Sequence, residues 1–195
     1  MATSWLLTPP ATEPISLEDA KRHLRIEDSV SEDDALVTVL IEAVRLWAET
    51  FTGRAFITQV WERKLDGFCG RIELPKPPVT AVTAIEYVDT DGVTQTLDPS
   101  LYRVSLPTGP WAQPACIEPA YGQTWPSTRS VSDAVTVRYT CGYGTSEDVP
   151  GNIIAAMKLR LGTLYEQREG VIVGSIATPL PQGDEYLLWP FKVFP

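Results

Sequence analysis

The stretch from Ser31 to Thr52, SEDDALVTVLIEAVRLWAETFT, constrains the fold most, because its apolar residues recur at helical spacing over five turns. Leu36, Leu40, Val44, Trp47 and Phe51 follow one another at steps of three and four, flanked by Val37, Ile41 and Ala48, with Glu42, Arg45 and Glu49 between them. Ser31 is positioned to cap the helix, with Asp34 third after it. Glu32 and Asp33 put negative charge at the positive end of the helix dipole, and Gly53 stops the helix. Each large side chain buried along such a stripe contributes roughly 1.5–3 kcal/mol, so the helix needs a partner surface elsewhere in the chain.

Two further segments supply one. SLEDAKRHLRI opens with Ser16 and Asp19 at capping-box spacing and carries Leu17, Ala20 and Leu24 on one face, so it is expected to form a hairpin with the long helix. After Pro150, Ile153, Ile154, Met157, Leu161, Leu164 and Tyr165 restore the helical period to about Arg168. A last helical turn is expected near Asp184 to Trp189, ended by Pro190.

Between these helices the period changes to alternation, punctuated by Pro and Gly, which predicts strands near 57–65, 71–74, 79–88, 93–97, 102–105, 115–118 and 134–141. The hairpin around Asp89-Thr90-Asp91-Gly92 is the clearest. Residues 106–133 read mainly as a long excursion rich in Pro, with Trp111, Tyr121 and Trp125. Residues 1–15, with Pro9, Pro10 and Pro14 and no periodicity, read as an extended arm laid over the surface or as a partly disordered one. The expected fold class is therefore α+β, a small helical bundle with an inserted antiparallel β domain. The bundle takes residues 1–56 and 145–195, with an N-terminal arm and a C-terminal tail, and the β domain residues 57–144.

A net charge of −9 argues against a protein that grips nucleic acid by its phosphates, yet suits a surface past which a polyanion must slide. No apolar run reaches the roughly 18 residues of a membrane span, and the N-terminus has no signal-peptide pattern, so synthesis in the cytoplasm and no membrane partner are expected. Three widely spaced cysteines, Cys69, Cys116 and Cys141, and the single His23 offer neither a disulfide framework nor a metal set. Gly142-Tyr143-Gly144 lacks the Lys-Ser/Thr and the following helix of a phosphate loop and reads as a turn. Asp89 and Asp91 serve hairpin geometry. Cys141 sits at a strand end with no basic motif nearby. No catalytic, metal or cofactor-binding residue is assigned, and no enzyme or cofactor is expected. Trp111, Tyr121 and Trp125 could stack on a sugar or base, which makes a tail-associated carbohydrate- or receptor-binding module the alternative, although closing the end of a small sheet explains them as well. A hydrolase is disfavoured by the lack of any nucleophile and base pair.

The segments ISLEDAKRHLRI, EDDALVTVLIEAVRLWAETFTGRAFITQVWERKLDGF, PAYGQTWPSTRSVSDAVTVRYTCGYG, VPGNIIAAMKLRLGTLYEQRE and YLLWPFKV, in this order, resemble the head-tail connector, or adaptor, proteins of long-tailed bacteriophages and gene transfer agents. The resemblance implies a structural subunit of a ring, commonly of twelve copies, below the portal protein. Such a ring extends the DNA channel, lets DNA pass without specific binding, and seats the next connector or tail component in the virion. It also implies a portal-contacting tail at Trp189, Phe191, Lys192, Val193 and Phe194, where Trp189 is bulkier than the family pattern and Lys192 stands in place of Arg.

Overall fold

Alternating burial along VTVRYTC makes β8 (Val135–Cys141) the central strand of a sheet in the computed structural model, which describes residues 2–167 and 183–194. Val135, Val137, Tyr139 and Cys141 are buried, and the residues between them are half-exposed. Strand β8 pairs antiparallel with β2 (Gln59–Leu65) on one side and β4 (Val79–Val88) on the other. Strand β1 (Ala2–Thr8) extends the sheet beyond β2, and β5 (Thr94–Thr96) extends it beyond β4. A three-stranded antiparallel sheet has the order β3 (Ile72–Leu74), β7 (Ala115–Pro119), β6 (Tyr102–Ser105). Leu65, Ile72, Leu74, Ile85, Ile117 and the inward residues of β8 belong to one apolar cluster. The architecture is α+β.

Two units divide the chain: Met1–Ala11 with Gly53–Tyr143, and Thr12–Thr52 with Gly144–Pro195. The N-terminal residues, expected as an arm of the helical part, instead run as β1 in the sheet unit. The alternation there is hard to read because the register shifts between Leu6 and Thr8, and because β1 is an edge strand that pairs, among the described residues, with β2 alone. Lys64 places its ammonium 4.6 Å from the centre of the Trp5 ring. At the other end of the sheet unit, Gly142 adopts φ +117, and a Cβ there would lie 2.4 Å from the Ile57 carbonyl oxygen. Backbone contact, not a ligand, accounts for that glycine turn.

The helical unit contains α1 (Leu17–Leu24), α2 (Asp34–Thr52), α3 (Gly151–Glu166) and α4 (Gly183–Leu188), followed by a 3-10 turn at Trp189–Phe191. Ser16 caps α1 as expected, its Oγ accepting the Asp19 N–H at 3.1 Å. Helix α2 begins later than Ser31, which lies in the preceding turn, its carbonyl accepting from the Asp34 N–H. Lys21 ties that turn down: its buried ammonium donates to the carbonyls of Val30 (2.6 Å) and Asp28 (3.2 Å) and lies 2.9 Å from Asp34. Gly53, at φ 72, ends α2. Helix α2 packs against α1, α3 and α4. Helix α3 ends at Glu166, and Arg168, the expected end, lies outside the described residues.

The buried stripe of α2 follows the flank of the expected one, Val37, Ile41 and Ala48, together with Val44 from its central row. Val37, Ile41, Val44 and Ala48 are buried, while Leu40, Trp47 and Phe51 are half-buried and Leu36 is exposed. Arg45 and Glu49 share the buried face: the Arg45 guanidinium bonds Glu13 at 2.7 Å and Glu49 at 3.1 Å. Burial alone would lower the pKa of Arg45, but Glu13 and Glu49 more than offset it and the net shift is upward, so the guanidinium stays charged inside the unit.

Candidate assembly surfaces

The last turn of the helical unit is anchored before it is exposed. Leu188 and Phe191 are buried, and the Val193 N–H donates to the Thr52 carbonyl at 2.8 Å, fastening the chain end to the end of α2. Trp47 and Phe51, half-buried on α2, continue into Trp189 and Phe194 as a row of rings with successive centroids 6.1, 6.4 and 6.1 Å apart. The Lys192 ammonium lies 4.8 Å from the Phe51 centroid, 5.1 Å from Trp189 and 5.8 Å from Phe194. Arg160 lies over Trp47 at 4.8 Å and also reaches Asp184 of α4 at 3.5 Å. A cation held against several ring faces fixes both the rings and the charge.

Of the five residues expected in a portal-contacting tail, the structure separates two kinds. Trp189 and Phe194 are 49% and 65% exposed and can meet another protein, whereas Phe191, at 3%, is part of this unit's own core. Lys192 and Val193 are half-buried between them. In sequence an apolar chain end leaves self-packing and partner binding equally open, because the residues receiving it, Phe51 and Thr52, lie more than 130 positions earlier.

The aromatic loop residues are not one surface. Trp125 stacks on Phe68, rings 4.8 Å apart and 8° from parallel, and Phe68 meets Tyr87 edge-on at 5.6 Å, so Trp125 closes the apolar cluster of the sheet unit. Trp111 and Tyr121 are exposed. The loop is pinned from within the same unit. Buried Arg54 donates to the Ala112 carbonyl at 2.7 Å, and the Tyr143 hydroxyl donates to that of Pro110 at 2.8 Å. Burial lowers the pKa of Arg54, opposed by Tyr143 beside it.

The polar groups singled out for chemistry have structural employment. Asp89 Oδ1 accepts the Asp91 and Val93 N–H groups at 3.0 and 2.9 Å, and its Oδ2 accepts the Gln95 amide at 2.9 Å. Cys141 is buried, its thiol 3.8 Å from the Gln59 carbonyl oxygen. His23 is exposed on α1. Among the described residues no group of His, Cys, Asp and Glu could hold a metal ion, and no helix is long and apolar enough to cross a membrane.

A feature missed in the sequence is a second apolar face on α2. Leu36, Val39 and Leu46 are 36%, 64% and 48% exposed, with Ala43 and Thr50 exposed on the same side. The signal was available, since α2 carries more apolar residues than one stripe needs, but the stripe chosen mixed residues from three faces.

Residues 14–90 match the family model described as Phage gp6-like head-tail connector protein. The resemblance read from the sequence holds over that part of the chain. The fold of the whole chain resembles that of three solved chains. One is from a structure described as the neck of an empty GTA (gene transfer agent) particle computed with C6 symmetry (TM-score 0.81, 22% identity, 99% of this chain and 96% of that one). Another is from the virion of a native GTA particle (0.80, 22%, 99% and 96%). The third is from the neck of a native GTA particle computed with C12 symmetry (0.75, 21%, 100% and 96%). No curated protein matches the chain.

Proposed function

We propose, from the premise that residues 14–90 carry the head-tail connector pattern, that this chain is a structural connector subunit at the head-tail interface of a phage or gene-transfer particle. Copies assemble as a ring below the portal protein, extend the DNA channel and seat the next connector or tail component. The observation that carries this reading is the likeness of fold to particle-neck chains along nearly the full length of both partners, since a connector must share the whole scaffold and not only one motif.

Charge supports it. The helical unit has 16 acidic against 8 basic residues, whereas the sheet unit has 9 against 8, so nearly all of the net −9 belongs to the helical unit, most of it in the segments outside its helices. An acidic surface repels a phosphate backbone and lets DNA slide without capture. Portal attachment falls to the exposed pair Trp189 and Phe194, with Lys192 holding their rings in place. Phe191 serves as the internal anchor.

Pull-down of the full chain by its portal protein tests this reading. Trp189→Ser with Phe194→Ser should fold as the parent does and lose attachment; unchanged capture of the double variant would refute the tail assignment. Removing the chain from Trp189 onward would be a poor test, because it also removes buried Phe191.

A further inference from the structure

The exposed face of α2 has a regular pattern: Leu36, Val39, Ala43, Leu46 and Thr50 are spaced 3, 4, 3, 4, as in the seam of a helix pair. Helix α3 has a shorter counterpart in Asn152, Ala155 and Leu159, again spaced 3 and 4, with Leu159 48% exposed beside the small Ala155. Charges of opposite sign border the two faces: Glu42 lies one turn from Val39 and Leu46 on α2, and Lys158 lies one turn from Ala155 on α3, whose far end carries exposed Glu166. Neither Glu42 nor Lys158 has an ion-pair partner among the described residues, although Lys21, Arg22, Arg45 and Arg160 of this unit all have one.

This charge pattern selects the occupant. A two-fold pairing of α2 with α2 of another copy would centre near Ala43, the midpoint of the seam, and bring Glu42 close to Glu42. Like charges so placed disfavour that arrangement. Packing α2 of one copy on α3 of the next brings Glu42 to Lys158 and large Leu46 and Val39 to small Ala155. An interface of two different surfaces is head-to-tail, and it closes into a ring when the rotation between copies divides a full turn.

We propose that the Leu36, Val39, Ala43 and Leu46 face of α2 is occupied by the Ala155 and Leu159 face of α3 in the next copy of this chain, with Glu42 paired to that copy's Lys158. The inference rests on the ring reading and names the surfaces that build the ring.

Charge exchange tests it with the full chain and its portal protein, rings being counted by electron microscopy and mass measurement at fixed concentration. Glu42→Lys and Lys158→Glu should each cut the yield of rings by about fivefold or more, and the double exchange should restore most of it. Circular dichroism should be unchanged in all three, since both positions lie outside the buried core. Singles that assemble like the parent would overturn the proposal, as would a double variant no better than its worse single, or a defect in Glu42→Lys alone. A parent chain that forms no ring with its portal would overturn the ring reading itself, an outcome distinct from rings indifferent to these substitutions.

Discussion

The two units of this chain solve the problem of sealing a core in opposite ways. The sheet unit closes on itself: Trp125 stacks over Phe68, buried Arg54 and Tyr143 hold the 110–112 segment, and the charges nearly cancel. The helical unit leaves Leu36, Val39, Leu46, Leu159, Trp189 and Phe194 at the surface and carries almost all of the negative charge. Both units keep apolar side chains at the surface, Leu7, Val93, Trp111 and Tyr121 in the sheet unit among them, so the negative charge and the seam-spaced row on α2 are what suit the helical unit to assembly.

The contrast can be broken most forcefully at Phe191. If the chain end belongs to the helical core, Phe191→Ala should cost about 3–5 kcal/mol in a denaturant unfolding experiment. A cost below about 1 kcal/mol, the level of an ordinary surface change, would mean that the end is free. In the sheet unit, Arg54→Ala takes the donor from the Ala112 carbonyl and leaves a hole, at a cost of about 2–4 kcal/mol. Limited proteolysis should then cut within 106–114; a loop as resistant as the parent's would show that Arg54 does not hold it.

Smaller effects sharpen the division among the aromatic residues. Trp125→Ala should cost about 2 kcal/mol through the lost stack on Phe68, while Trp111→Ala and Tyr121→Ala should stay within about 0.5 kcal/mol. Equal costs at the three positions would contradict the placement of Trp125 alone in the apolar cluster. The least effect is at the hairpin tip. The Gln95 amide first, and then the Val93 N–H, hold the Asp89 carboxyl below the usual carboxylate range. A depressed folded pKa stabilises above the unfolded value of about 3.9, and this contribution disappears as pH falls through the lower folded value. NMR titration of the Gln95 amide should follow that acidic step; a midpoint at the ordinary carboxylate value would remove Asp89 from the account of the hairpin.

Local patterns carried much of the fold into the sequence. Ser16 and Asp19 announced α1, the alternation of VTVRYTC announced β8, and Asp89 to Gly92 announced the β4–β5 turn, because each is written in adjacent residues. What stayed hidden depends on distant partners. Strand β1 exists because β2, some 50 residues later, offers it an edge, and its bulge disguises the alternation. Phe191 reads equally as a free or a self-packed apolar end until it meets its own unit. The α2 stripe was displaced because a helix with apolar residues on three faces does not reveal which face receives α1 and α3, which takes the aromatic ledge, and which is left uncovered.

A density map of the full chain assembled with its portal protein tests the central claim most directly. The account predicts a closed ring in which neighbouring copies meet through α2 and α3 of their helical units, and in which Trp189 and Phe194 lie against the portal. A ring joined through the sheet units, with Leu36, Val39 and Leu46 still facing solvent, would contradict it.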